Sequence, residues 1–215
     1  MVKKRVLVVD DHPMTRQGSC AAIDAQNDLE VCGEAEAWRE ALKKTISLKP
    51  DIILLDLNLK DGNGWDLLRQ FTASGINTPV LIVSVCDEDI YAARLLQSGA
   101  RGFLMKDAPI AKILEAIRKV LDGHIAVSDT IASQLIHTAT KGIKKMSAAS
   151  ELALLSNREL QVYELLKAGR NNGEIAESLS ISQKTIGTYK ARLMEKFGVR
   201  TTPELLTRIQ ERMAV

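Results

Sequence analysis

Residues 51–68 read DIILLDLNLKDGNGWDLL, and the four apolar residues Ile52–Leu55 running unbroken into Asp56 decide the fold. A strand with one wet face alternates apolar and polar side chains, so an unbroken run marks a strand covered on both faces by helices, as in a parallel sheet. The run recurs as VLVV at 6–9 and VLIV at 80–83, and more weakly as GFLM at 102–105, each followed by an amphipathic stretch. With LEVCGEA at 29–35, the chain from Arg5 to Leu121 reads as five successive strand–helix units. The expected fold class is therefore α/β, a flavodoxin-like (βα)5 unit with a parallel sheet in the order 2-1-3-4-5. Its last helix should place Ile110, Ile113, Leu114, Ile117 and Leu121 on one covering stripe.

After Asp122-Gly123 the pattern changes. The segment SDTIASQLIHTAT reads as one more helix, and TKGIKKMSAAS as a polar linker. From Leu152 the reading is all helical. Ser156 and Glu159 form an S-x-x-E capping box before RELQVYELLKA, Asn171 and Glu174 open a short helix, and Ser180–Ser182 connects tightly to QKTIGTYKARLMEKF. A final helix follows Pro203. A short helix, a tight turn and a longer basic helix make the helix-turn-helix pattern. We divide the chain into 1–121, a linker at 122–150 with one helix, and a small all-α unit at 151–215.

The 215 residues are 46% hydrophobic and 26% charged, the profile of folded globular domains. The apolar runs fall far short of the roughly 18 residues a membrane span needs, so no membrane association is expected. Three cysteines without CxxC spacing fit a reducing compartment, and no signal-peptide pattern opens the chain, so a cytoplasmic location is expected. The net charge of +2 hides a local excess. Between Ser182 and Arg200, Lys184, Lys190, Arg192, Lys196 and Arg200 face only Glu195, which points to a polyanion.

Asp10 and Asp11 stand at the carboxyl end of the first expected strand, Asp56 at that of the third and Ser84 at that of the fourth, while Lys106 follows the fifth. Open α/β sheets collect function outside these ends, where strand order reverses. Three clustered carboxylates repel unless a hard cation takes up their charge. Mg2+ suits them because it accepts one or two carboxylates, keeps waters and bridges to phosphate oxygens. A phosphoryl group arriving at Asp56 would meet the cation, the Lys106 ammonium and the Ser84 hydroxyl. His12 lies at the edge of this set. His124 and His137 fall in other elements without metal-ligand spacing.

The segments VLVVDDHPMTRQG, DIILLDLNLKDGNGWDLL, PVLIVSV and GARGFLMKD together resemble the receiver domain of bacterial two-component response regulators. The resemblance implies that Asp56 accepts phosphate from a sensor histidine kinase, with Mg2+ held by Asp10, Asp11, Asp56 and the backbone carbonyl of Asn58. It makes Ser84 and Phe103 the switch pair, with Lys106 on the phosphate. The chain departs from many receivers at Leu59 and Lys60, where Met-Pro is common, and at Asp107, where a proline commonly makes a cis turn.

On the helix expected from Gln183 to Phe197, Ile186, Leu193 and Phe197 share an apolar face with Tyr189 beside them, while Lys184, Thr188 and Arg192 fall opposite. One apolar and one basic, hydroxyl-bearing face suit a major groove. The stretch LSNRELQVYELLKAGRNNGEIAESLSISQKTIGTYKARLMEKFGV resembles the LuxR-type output domain, and with the receiver it is similar to the NarL/FixJ subfamily. That likeness implies a transcription regulator, not an enzyme, whose phosphorylation promotes dimerisation and binding to double-stranded promoter DNA. RNA polymerase belongs among its implied partners. DNA contacts are implied for Lys184, Thr185, Gly187, Thr188, Lys190, Ala191 and Arg192, and the helix 203–212 would pair two copies. Many relatives carry Lys where this chain has Gly173, Gly187 and Ala191.

Two rival readings meet the same residues. An aspartyl-phosphate phosphohydrolase places its nucleophile and acid two residues apart on one strand, whereas Asp10 and Asp11 are adjacent and should point apart. A phosphate-independent interaction protein would not need the carboxylate set.

Overall fold

The computed structural model describes residues 2–141, 152, 154–179 and 181–211, with the side chains of 136–141 left aside. The stretch 142–150 of the expected linker, Ser180 of the expected turn and position 212 of the last helix lie outside the described residues. The chain divides into two compact units at 142/143, each described by itself.

In the first unit β1 (Lys4–Val9), β2 (Leu29–Ala35) and β3 (Ile52–Leu55) alternate with α1 (Pro13–Asp24) and α2 (Trp38–Leu48). A two-residue antiparallel pair, β4 (Asn58–Leu59) and β5 (Gly62–Asn63), follows, then α3 (Gly64–Ala73), β6 (Val80–Ser84), α4 (Glu88–Gln97), β7 (Gly102–Met105), α5 (Ile110–Leu121) and α6 (Asp129–Lys141). The main sheet has the order β2-β1-β3-β6-β7, with every neighbouring pair parallel. Skipping the short β4–β5 pair, this is the expected order, and the fold class is as expected.

The unbroken apolar runs behave as their composition requires. Every residue of β3 and β6 is buried, because helices cover both faces of the sheet. One core cluster joins Val6, Val8, Ile52, Leu54 and Leu81 of the sheet to Cys20 and Ile23 of α1 and to Ile113, Leu114, Ile117 and Val120 of α5. The expected stripe on α5 is narrower than its sequence suggests. Ile110 is 44% exposed, Leu121 packs half-buried against the core cluster as expected, and Val120 beside it is buried as well. Ile110 is the first residue of the helix. Past α5 the chain returns to the sheet edge, where Ala126 bridges Gly102 and its carbonyl accepts the Phe103 N–H at 2.8 Å.

The second unit holds α7 (Asn157–Lys167), α8 (Asn172–Ser178), α9 (Gln183–Phe197) and α10 (Thr202–Glu211). The expected capping box forms at Ser156/Glu159, and Asn171/Glu174, expected to open the short helix, form a second one. Ile186, Leu193 and Phe197 of α9 are buried, and Phe197 stacks on Tyr163 with ring centroids 5.7 Å apart. Glu159 does more than cap. It is 3% exposed, accepts the Ser156 N–H at 2.6 Å, and lies 2.6 Å from Lys196 Nζ. Burial pushes its carboxyl up, but Lys196 and the Ser156 bonds outweigh that, leaving it below the usual 4.5.

Glu159→Ala should cost the second unit about 2 kcal/mol, the order of a lost cap plus a stranded, partly exposed lysine. Because the folded-state carboxyl is depressed, this stabilisation is present above pH 4.5 and fades as pH falls through the lower folded value. Amide exchange of α7 in the full chain, measured at pH 7 and pH 4, checks both statements. Equal protection in wild type and variant at pH 7 would contradict them.

Candidate functional site

The carboxyl ends of β1, β3 and β7 bring three of the expected side chains together. Lys106, just past β7, reaches back between β1 and β3. Its Nζ lies 2.8 Å from Asp10 Oδ2 and 2.8 Å from Asp56 Oδ2. The remaining oxygens of both carboxylates are also engaged. Asp10 Oδ1 accepts the His12 N–H at 2.8 Å and Asp56 Oδ1 accepts the Leu57 N–H at 2.7 Å. Asp10 and Asp56 are buried, and the side chain of Lys106 is nearly so. Burial disfavours the charge on Asp56 and raises its carboxyl above the usual range, with Lys106 opposing and Asp10 reinforcing the rise. Burial works against the Lys106 charge, yet its two carboxylate partners prevail and hold the ammonium above its usual value.

Asp11 completes the set. One ligand atom from each of Asp10, Asp11, His12 and Asp56 lies within 4.8 Å of the others. This overturns the expectation that adjacent Asp10 and Asp11 point apart, because β1 ends at Val9 and both residues lie in the turn, where strand alternation no longer applies. Asp11 Oδ1 is buried without a hydrogen-bond donor, and its neighbour His12 Nδ1 at 2.7 Å opposes it as a charge only when protonated. An orphaned carboxylate oxygen beside two further carboxylates is what a hard cation would satisfy, so the donor set fits Mg2+.

Ser84 ends β6 fully buried, and its carbonyl accepts the Lys106 N–H at 2.9 Å. Phe103 is fully buried in β7, opposite Ile82 of β6. Asn58 is exposed and paired with Asn63, so the loop after Asp56 is a small hairpin. No cis peptide occurs among the described residues, so the Lys106–Asp107 bond is trans. Sequence reasoning missed three residues of α1. Thr15 and Ser19 line the small cavity under Asp10, Asp56 and Lys106, and Arg16 donates to the Asp10 carbonyl at 2.6 Å. Their spacing along the inner side of α1 was the available signal, but it does not single them out from core positions.

On α9, Lys184, Gly187, Thr188, Ala191 and Arg192 are exposed. Thr185 and Lys190 are half-buried and used within the unit. Thr185 shares the helix cap with Ser182, their hydroxyls 2.8 Å apart, and Lys190 Nζ donates to Asn172 of α8 at 3.2 Å. Lys196, counted above among the unbalanced cations, is matched by Glu159. The open charge on this helix is therefore concentrated toward Lys184 and Arg192, whose guanidinium lies 5.9 Å from the centre of the Tyr189 ring.

Comparison with known proteins places both units. The profile of the response regulator receiver domain matches residues 6–118, and that of the LuxR family of bacterial regulatory proteins matches residues 153–209. Over 201 residues the chain is 37% identical to the response regulator GacA of Pseudomonas viridiflava, covering 94% of this chain and 92% of that one. It is 33% identical over 205 residues to the oxygen regulatory protein NreC of Staphylococcus aureus, covering 94% of each. Among solved structures, RcsB of Salmonella enterica serovar Typhimurium, bound to promoter P1flhDC in the presence of the phosphomimetic BeF3-, aligns with a TM-score of 0.71 at 22% identity. That alignment covers 98% of this chain and all of the other. No helix among the described residues is long and apolar enough to cross a membrane.

Proposed function

Because the chain belongs to the response regulators that join a receiver domain to a LuxR-type DNA-binding domain, we propose that it is a cytoplasmic transcription regulator, phosphorylated on Asp56 by a sensor histidine kinase, in which phosphorylation promotes homodimerisation and promoter binding. The observation that carries this reading is the buried Asp10–Lys106–Asp56 bridge, with an unsatisfied Asp11 oxygen beside it.

In the proposed transfer an Asp56 carboxylate oxygen attacks phosphorus, an acyl phosphate bond forms, and the P–N bond to the donor imidazole breaks. The Lys106 ammonium, released from part of its contact with Asp56, stabilises charge on the transferred oxygens, and the Ser84 hydroxyl supplies a further donor. Mg2+, held by Asp10, Asp11, Asp56 and the Asn58 carbonyl, would neutralise phosphate charge during the transfer. Phe103, beside β6 in the sheet, would register the movement of Ser84. No substrate is turned over, so the protein is a regulator and not an enzyme.

Lys184, Thr188 and Arg192, with Gly187 and Ala191 between them, would face the major groove. Thr185 and Lys190, already engaged within the unit, would contact phosphate while fixing the helix. In a major groove Lys and Arg suit guanine edges or phosphates, and Thr and Ala suit thymine methyls. The helix at 203–212 would pair two copies over a palindromic site, and RNA polymerase would be met at the promoter.

The test is retention of genomic fragments by the full-length protein at fixed salt, with and without a small-molecule phosphodonor. Selective retention that grows with phosphodonor supports the reading, while selective retention indifferent to it would confine the function to constitutive DNA binding. Chelating Mg2+ with EDTA should slow phosphate uptake from the donor at least about a hundredfold, since a bound metal is worth several kcal/mol of charge stabilisation. Phosphate incorporation followed by intact mass measures it, and an unchanged rate would remove the metal from the mechanism.

A further inference from the structure

The hairpin that carries Asn58 is held from outside the carboxylate set. Helix α2 spans 11 residues and begins without a capping side chain of its own, because its N-cap is Ala37. The first amides of a helix need acceptors, and here they find one 23 residues away. The Trp38 N–H donates to Asp61 Oδ1, and the Arg39 N–H donates to Asp61 Oδ2 at 3.3 Å. A carboxylate at this position also meets the positive end of the helix dipole.

Asp61 stands with Lys60 at the tip of the hairpin whose stems pair Asn58 with Asn63 and Leu59 with Gly62. Lys60 makes a second anchor. Its N–H donates to the Glu36 carbonyl at 3.3 Å and its Nζ lies 2.8 Å from Glu36 Oε2. Gly62 closes the contact, since a Cβ there would stand 3.3 Å from both Cβ and Cγ of Trp38. Trp38, the first residue of α2, thus lies against this loop. The hairpin tip is fastened to the β2–α2 junction, and its near stem carries Asn58 two residues beyond Asp56.

We propose that Asp61 is a positioning residue for the cation site: by fastening the hairpin to the start of α2 it fixes the Asn58 carbonyl next to Asp10, Asp11 and Asp56. This rests on the reading above that the carboxylates and the Asn58 carbonyl hold Mg2+. Groups that orient metal ligands without touching the metal commonly change affinity about 10- to 100-fold when removed.

The experiment titrates MgCl2 into the full-length, unphosphorylated protein, follows tryptophan fluorescence, and measures amide exchange of 58–63 without metal. Asp61→Ala should raise the Mg2+ Kd roughly tenfold and speed exchange across the hairpin. Asp61→Asn, which keeps one acceptor oxygen for the helix amides, should recover most of both. A loss of stability alone would lower the unfolding midpoint of Asp61→Ala without moving the Kd of the folded protein, and that outcome overturns the proposal. Wild type and Asp61→Ala binding Mg2+ alike removes the role of Asp61 only. A wild type without a saturable response removes the cation reading together with it.

Discussion

Asp56→Asn should abolish the phosphodonor-dependent part of DNA retention and leave the fold intact. Asn has no carboxylate oxygen to form an acyl phosphate, so phosphate uptake at this site should fall to background. Folding survives because the amide oxygen can still accept the Leu57 N–H and Lys106 keeps its 2.8 Å contact with Asp10. The sign of the stability change follows from the raised Asp56 carboxyl. A buried acid whose folded-state pKa lies above its free value is less stable when ionised, so at pH 7 its charge opposes folding. Removing that charge, with Asp10 and Asp11 close by, should leave the unfolding midpoint no lower than that of wild type. Intact mass, DNA retention and thermal unfolding on one preparation read all three. Phosphodonor-stimulated retention that persists in Asp56→Asn would reject the proposed switch and favour a regulator indifferent to this carboxylate.

Gly64→Ala should break the same site by sterics alone. Gly64 opens α3 just past the end of β3, and its N–H donates to the Leu57 carbonyl at 2.8 Å. A Cβ at position 64 would fall 2.1 Å from the Asp56 carbonyl oxygen and 2.9 Å from Leu57 Cα. Both obstacles are backbone, so no side-chain rotation relieves them, and α3 must move away from the end of β3. Overpacking of this kind costs about 1–3 kcal/mol, and the rigid backbone on both sides puts this case at the upper end. The receiver should lose about 3 kcal/mol of stability, and phosphate uptake should fall with it as Leu57 and Asn58 shift. Gly18 is the internal contrast. It lies on the exposed side of α1 with nothing within 4 Å of an added Cβ, so Gly18→Ala should stabilise by up to about 1 kcal/mol through helix propensity. Denaturant unfolding of the two variants decides it. Equal stability of Gly64→Ala and wild type would mean that the backbone yields more cheaply than its packing implies.

The sequence by itself determined the layers of the first unit and the caps of the second. Each of these rests on local rules: unbroken apolar runs demand a doubly covered sheet, and S-x-x-E or N-x-x-E spacing satisfies helix amides at once. It also marked Asp10, Asp56 and Lys106, because strand ends are legible from the runs that precede them. What only the tertiary structure decided concerns partners far apart in the chain. Asp10 and Asp11 bring their carboxylates into one cluster because β1 stops at Val9, before strand alternation would have separated them. Lys196 leaves the basic face because Glu159, 37 residues earlier, is buried beneath it. Asp61 caps a helix that begins 23 residues before it. Periodicity and spacing report which face a side chain takes within its own element. They carry no information about which distant group waits on that face, and that pairing is set by how the elements dock.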